Sequence, residues 1–251
     1  MKEQQIQEAQ YRVPYHYLPK RGVGGFRQHD YWSWGFRYLG GMHVVQSLCD
    51  EDEWTSLLDL GCGDGRFLSD LGGRYPDRRL VGIDYSERAI ALANALNEGV
   101  EYRAADIIRD DTGSERFDVV TLVEVLEHIP LDDVPAFVAS AVDFVKPGGR
   151  LVLTVPHNNN PVSDKHFQHF DSGMLRVLFE QELEDLRLIP FDFFSRKTDI
   201  WFRLLGRTGK YFLVTWPPVL DAFYRHYIEN DLFGGDESEC SRIAMVGRRP
   251  Q

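Results

Sequence analysis

Cysteine is scarce in this chain: Cys49, Cys62 and Cys240 are odd in number, widely spaced and form no C-x-x-C pair. Neither a disulfide framework nor a cysteine-based zinc site is suggested, and a reducing cytoplasm is the expected setting. Long apolar runs are missing as well. No uninterrupted stretch approaches the ~20 residues that span a bilayer, and the opening MKEQQIQEAQ is polar throughout, unlike a leader with a basic segment and an apolar one, so a soluble protein is expected. Positive charge is in deficit: 28 Lys and Arg face 39 Asp and Glu, for a formal charge of -11, and no Lys/Arg-rich run exists to track phosphates. Nucleic acid is therefore a poor default partner. There is no internal repeat and no low-complexity tract. What remains, 251 residues at 43% hydrophobic content, is enough to bury one full core with embellishments.

Between about Ser56 and Val155, short apolar runs alternate with helix-length amphipathic stretches, which predicts an α/β parallel sheet covered by helices on both faces. The strands are expected at Ser56–Leu60, Arg79–Asp84, Val100–Ala104, Phe117–Val123 and Arg150–Val155, where Val, Leu and Ile suit burial on both sides. SERAIALANALNEG opens on a Ser cap and stops at Gly99; DDVPAFVASAVDFVKPGG carries Pro135 in an early turn and a Pro-Gly-Gly stop; a further helix after His169 is capped by Asp171 or Ser172. The ends differ in texture. Residues 1–50 form an aromatic-rich N-terminal lid segment, 51–190 the core, 191–235 an aromatic-rich helical insertion forming a lid or substrate pocket, and 236–251 a last strand (SRIAMVGRR) returning to the sheet. Simple packing explains such aromatics equally well.

The stretch LLDLGCGDGRF places Gly61, Gly63 and Gly65 at every second position after the first strand. A glycine turn there lets the backbone approach a ligand. A dinucleotide fingerprint is G-x-G-x-x-G, but Arg66 stands where its third glycine belongs, and Asp59 and Asp64 would set carboxylates beside a pyrophosphate. A cationic ligand reverses the sign of that argument, and S-adenosylmethionine carries both a sulfonium and an α-ammonium. Asp84 ends the second strand about 20 residues on, where an acid accepts bonds from ribose hydroxyls, and Asp106 follows the third strand within reach of an adenine amino group. Each acid alone could be a cap or turn residue; three at successive strand ends make coincidence a weak account.

The set LLDLGCGDGRF, VGIDYS, RAADI, FDVVTLVEVLEHIP and KPGGRLVLTVP resembles the successive motifs of class I S-adenosylmethionine-dependent methyltransferases over about residues 56–156. Its EVLEH run is similar to the ubiquinone-biosynthesis O-methyltransferase type and to natural-product and sugar methyltransferases. The resemblance implies a Rossmann-like seven-stranded sheet, mostly parallel, whose one antiparallel edge strand SRIAMVGRR would supply. It also implies that Gly61 and Gly63 face the methionine portion of the cofactor, Asp84 with Tyr85 the ribose, Asp106 and Ile107 the adenine, and Val123 the sulfonium side, while Arg37 reaches the cofactor carboxylate. Beyond His157 the pattern diverges.

An alcohol acceptor needs a base, and histidines near the sheet's carboxyl edge are natural candidates. His128 in LEHIP and His169 in the later loop are nominated as catalytic; His157 also sits at that edge, and His166 reads as structural. Tyr15, Tyr17, Trp32 and Trp34 are expected to close the pocket against water. The leading expectation is a small-molecule O-methyltransferase that needs no metal. The alternatives are a metal-assisted 2′-O-methyltransferase of RNA ends, with Glu124, Glu127, His128 and His166 or His169 around a divalent ion, and a noncatalytic S-adenosylmethionine-binding module. Trp, Phe and Leu mixed with Arg and Lys in DIWFRLLGRTGKYFLVTWPPVL make membrane contact a secondary expectation.

Overall fold

The computed structural model describes residues 32–193, 195–205 and 216–251, together with residues 6, 11, 16, 20–22 and 25–27 of the N-terminal stretch. Tyr15, Tyr17 and the side chains of Trp32 and Trp34 lie outside the described residues.

A short hairpin, β1 (Lys20–Gly22) with β2 (Gly25–Arg27), precedes helix α1 (Trp32–Cys49). There follow β3 (Ser56–Leu60), α2 (Arg66–Arg74), β4 (Arg79–Asp84), α3 (Glu87–Leu96), β5 (Glu101–Ala104), β6 (Phe117–Val123), α4 (Val134–Asp143), β7 (Val145–Pro156), α5 (Ser172–Phe179), β8 (Glu184–Phe191), α6 (Arg196–Leu205), α7 (Pro217–Asn230) and β9 (Arg242–Arg248). Strands β3 to β9 form one seven-stranded sheet in the order β5-β4-β3-β6-β7-β9-β8, with only β9 running against its neighbours. This is the Rossmann-like sheet expected from the sequence.

Alternation along the strands builds the two sides of the core. Leu57, Leu80, Val119 and Val152 pack on one face; Leu58, Val81, Val120 and Leu153, one residue further on, pack on the other. Each side chain buried this way stabilises the fold by about 1.5–3 kcal/mol. Caps set the helix starts: Ser86 Oγ accepts from Ala89 N at 3.1 Å, and Asp171 Oδ1 accepts from Met174 N at 2.8 Å. The first face also receives the two aromatic-rich segments, because Phe36 of α1 meets Tyr224 and Tyr227 of α7 with ring centroids 5.7 and 6.4 Å apart.

Two details depart from expectation. β9 is antiparallel but not the edge; β8, which sequence patterning had not singled out, lies outside it. EDLRLIPF is mostly exposed or half-buried and contains Pro190, features tolerated at an edge because one side needs no ladder bonds. β7 begins at Val145 rather than Arg150, since the register shifts between the Phe117 and Val119 pairings and absorbs Pro147-Gly148-Gly149 as an irregularity.

Candidate active site

A cavity of about 1140 Å³ opens at the carboxyl ends of β3, β4, β5, β6 and β7, the edge where open α/β sheets bind ligands. It is somewhat larger than the ~300–1,000 Å³ usual for a single small ligand, so a nucleoside-sized group and an acceptor both have room. Of the residues nominated from the sequence as catalytic or cofactor-binding, Asp59, Gly61, Gly63, Asp84, Tyr85, Asp106, Ile107, Val123, Arg37 and His128 line it, and His169 does not.

The glycine loop is bare because nothing else fits. Gly61, at φ +74°, donates its N–H to the Ile83 carbonyl at 2.7 Å, and a Cβ there would stand 2.5 Å from Val125 Cγ2. Gly61→Ala is expected to destabilise the protein by about 2–4 kcal/mol, the sum of left-handed strain and forced repacking of Val125. Denaturant melts check this, and adding Val125→Ala should recover the collision part alone. Gly63, at φ +55°, donates to Asp84 Oδ2 at 2.9 Å, while Asp84 Oδ1 accepts from Ser86 N at 2.9 Å. The acid at the end of β4 thus holds both the loop and the next helix start.

Asp59 is buried at the base of the loop. Burial pushes its carboxyl up to about 7, the Thr121 hydroxyl donating at 2.7 Å opposes that, and nearby Asp84 adds to it. Asp64 is fully buried and meets His16 Nδ1 at 3.0 Å, so the N-terminal segment reaches the loop; Tyr11, His16 and Tyr38 line the cavity with it. Local sequence gave no signal for this contact, which joins residues 48 positions apart. Asp106 is shaped by its own turn: it accepts from Ile108 N at 3.0 Å and from Arg109 at 2.7 Å. Burial alone would raise its carboxyl, but those bonds outweigh it and hold it below the usual range.

Arg37 lines the cavity and is anchored beneath it, its Nε 2.7 Å from buried Asp192. Arg242 and the Tyr227 hydroxyl donate to the same carboxylate at 3.0 and 2.7 Å. Burial pushes Asp192 up, the two guanidiniums pull it down, and the net direction is down. Arg242, read from sequence only as part of the last strand, is a cavity residue too.

The far end carries the titratable groups. Glu124 takes a left-handed φ of +55°, uncommon for a residue with a side chain and of a kind found at functional sites. Among the described residues, Glu124 Oε1 and Glu127 Oε2 are buried without hydrogen-bond partners. Burial, then the Glu124 charge, raises the Glu127 carboxyl well above its ordinary value. Burial lowers His128 to about 4 and His166 to about 3, the latter with help from the charges of His128 and Lys165. Ligand atoms of Glu127, His128 and His166 all lie within 4.8 Å of one another, a set able to hold a divalent ion. His166, not His169, forms the cavity wall; His169 is buried behind it at 6% exposure. The two stand three residues apart on a loop, and sequence spacing alone does not say which one turns inward. His157 is held by Glu237 at 3.4 Å and is absent from the lining, as is every described residue from 195 to 235. The lid expected at 191–235 falls partly on 206–215, outside the described residues.

The sheet order, the glycine loop and the acids at successive strand ends are those of class I S-adenosylmethionine-dependent methyltransferases. Residues 30–196 match the family described as "Methyltransferase domain", and the chain belongs to that family. Among curated proteins it is similar to a ubiquinone biosynthesis O-methyltransferase of Leptothrix cholodnii, 38% identical over 49% of this chain and 52% of that one. It is also similar to a trans-aconitate 2-methyltransferase of Deinococcus radiodurans, 30% identical over 48% and 45%. The chain spans about half the length of these relatives. Among solved structures, the N-methyltransferase NodS of Bradyrhizobium japonicum WM9 in complex with S-adenosyl-L-homocysteine superposes with a TM-score of 0.60 at 17% identity over 100% of both chains. A possible histamine N-methyltransferase of Thermotoga maritima gives 0.59 at 18% identity over 86% and 90%; at such identities the likeness is one of fold. Among the described residues no helix is long and apolar enough to cross a membrane.

Proposed function

We propose that this protein is an S-adenosylmethionine-dependent methyltransferase that methylates a hydroxyl of a small polar metabolite. When bound, the cofactor supplies a methyl group on a positively charged sulfur. The residues present fit it: a glycine loop with no room for side chains, and buried carboxyls at Asp59, Asp64 and Asp84 around it. In this reading Gly61, Gly63 and Arg37 hold the methionine portion, Asp84 and Tyr85 the ribose, Asp106 and Ile107 the adenine, and Val123 backs the sulfur.

The observation that carries the acceptor class is the wall beyond Val123. Glu124, Glu127, His128, Lys165 and His166 stand in it among apolar neighbours such as Val125, Ile129 and Phe137, and these titratable groups favour an acceptor that carries a hydroxyl over a wholly apolar one. His128 donates from Nδ1 to the Lys165 carbonyl at 2.9 Å, so its Nε2 lone pair is available to take the hydroxyl proton. Orientation of the acceptor by this wall supplies the rest of the rate, since the displacement is in-line. The test is release of S-adenosylhomocysteine with a panel of sugars, hydroxy acids and phenols; turnover confined to prenylated or amine acceptors would defeat the assignment.

A second reading has a specific observation behind it: Glu127, with a buried oxygen that has no hydrogen-bond partner among the described residues, stands beside the imidazoles of His128 and His166, and the three could hold a divalent ion. Glu127, His128 and His166 would hold the ion, which would polarise the acceptor oxygen.

Asp59 predicts a pH dependence of cofactor binding. Its carboxyl titrates near 7 in the free protein. A nearby cation favours the ionised form, so the bound-state pKa is lower and the proton leaves on binding. Affinity for S-adenosylmethionine should therefore tighten as pH rises through about 7 and level off above it, with the slope lost in Asp59→Asn. Calorimetry in two buffers of different ionisation heat reads the released proton directly.

A further inference from the structure

The histidines behind the cavity wall form a directed chain. His169 Nδ1 lies 3.1 Å from the Asn160 backbone oxygen. A carbonyl only accepts, so Nδ1 carries the hydrogen, and in the neutral ring Nε2 is then the lone-pair nitrogen. His166 Nδ1 lies 2.8 Å from that Nε2 and must donate to it, which leaves Nε2 as the unprotonated nitrogen of His166. His128 reaches the same state by its own bond to the Lys165 carbonyl, and its Nε2 lies 3.9 Å from Glu127 Oε1. The His128 and His166 rings stand edge to face with centroids 4.8 Å apart, and a ring nitrogen of each lies within 4.8 Å of the other and of a Glu127 carboxylate oxygen.

We propose that His169 is a positioning residue: anchored on the Asn160 carbonyl, it fixes His166 in the Nδ1–H tautomer and so presents a second imidazole lone pair, beside that of His128, to the acceptor end of the cavity. A neutral imidazole in water prefers the opposite tautomer, with hydrogen on Nε2, so the contact selects the ring's minor form. The role of a structure-fixing hydrogen bond to the far nitrogen is general for functional histidines. It accounts for two histidines three residues apart of which only one reaches the cavity. The placement of the acceptor rests on the function proposed above; the tautomer does not.

The experiment is a long-range proton–nitrogen correlation spectrum of the full chain labelled with ¹⁵N-histidine near pH 7.5, assigned with His166→Gln and His169→Gln. Expected in the wild type are a pyrrole-type Nδ1 and a pyridine-type Nε2 at both His166 and His169. His169→Phe should shift His166 predominantly to Nε2–H. His169→Gln, whose side-chain oxygen accepts the Nδ1 hydrogen, should preserve the wild-type tautomer. On turnover, His169→Phe should lower kcat about 10-fold or more with cofactor affinity unchanged, and His169→Gln should recover most of it. His166 as Nε2–H in the wild type, or the Nδ1–H form persisting in His169→Phe, overturns the proposal. Should His169→Phe not fold, the wild-type spectrum decides. A wild type that shows the expected tautomers but ignores S-adenosylmethionine in calorimetry defeats the proposed function and leaves this inference standing.

Discussion

Replacing Asp84 by alanine is expected to weaken S-adenosylmethionine binding by roughly 1–3 kcal/mol, about 5- to 150-fold in Kd. Two causes act together. The carboxylate accepts Gly63 N through Oδ2 and Ser86 N through Oδ1, each at 2.9 Å and both in buried surroundings. Its removal strands two backbone donors and loosens the loop that must approach the ligand. The proposed bonds to the ribose hydroxyls, charge-assisted and desolvated, are lost at the same time. Stability and affinity separate the two. Asp84→Asn keeps the shape and one acceptor oxygen, so one backbone bond survives; its melting temperature should lie between wild type and alanine. Calorimetry showing an affinity within twofold of wild type in Asp84→Ala, whatever its melting temperature, would remove Asp84 from the ribose.

The glycine-loop side of this cavity was readable in the chain because its pattern is local. A strand end, a glycine turn and an acid form a short contiguous pattern, and a parallel sheet repeats that pattern along one edge. Hence Asp59, Gly61, Gly63, Asp84, Asp106 and Val123 all meet at the cavity, as their places at strand ends require. Its contacts with the N-terminal segment and with the later part of the chain are long-range. His16 meets Asp64 and Arg37 meets Asp192 across 48 and 155 residues, and no periodicity encodes such pairs. The choice between His166 and His169 was illegible for another reason: on an irregular loop neither a helical nor a strand period says which side chain turns inward, and here the answer depends on the Asn160 carbonyl that seats His169. β8 was missed because an edge strand lacks the continuous apolar run of its buried neighbours.

The largest loss is expected from His128→Ala: if the proposed role of its lone pair as base toward the acceptor oxygen holds, turnover should fall ~10²-fold or more while cofactor affinity stays near wild type. The ring's depressed pKa gives the effect a distinctive pH profile. The competent form is neutral, and with a folded-state pKa near 4 it is present above that value and lost as pH falls through it. Wild-type turnover should therefore lose no contribution from His128 between pH 8 and 5, whereas an ordinary surface histidine would fail near 6.5. The same depressed value makes imidazole a weak base toward an alcohol, and this sharpens the contrast with the divalent-ion reading, in which a lone pair kept free of protons is an asset to a ligand. Treatment with a chelator distinguishes them. Turnover unchanged by chelation but abolished in His128→Ala assigns the proton to the imidazole. Turnover lost on chelation and restored by Mg²⁺ or Mn²⁺, with Glu127→Gln as damaging as His128→Ala, assigns an ion to Glu127, His128 and His166 instead. Near-normal turnover in His128→Ala without added ion would leave positioning of the acceptor as the whole source of rate, and would move the search for acceptors from hydroxyls to amines.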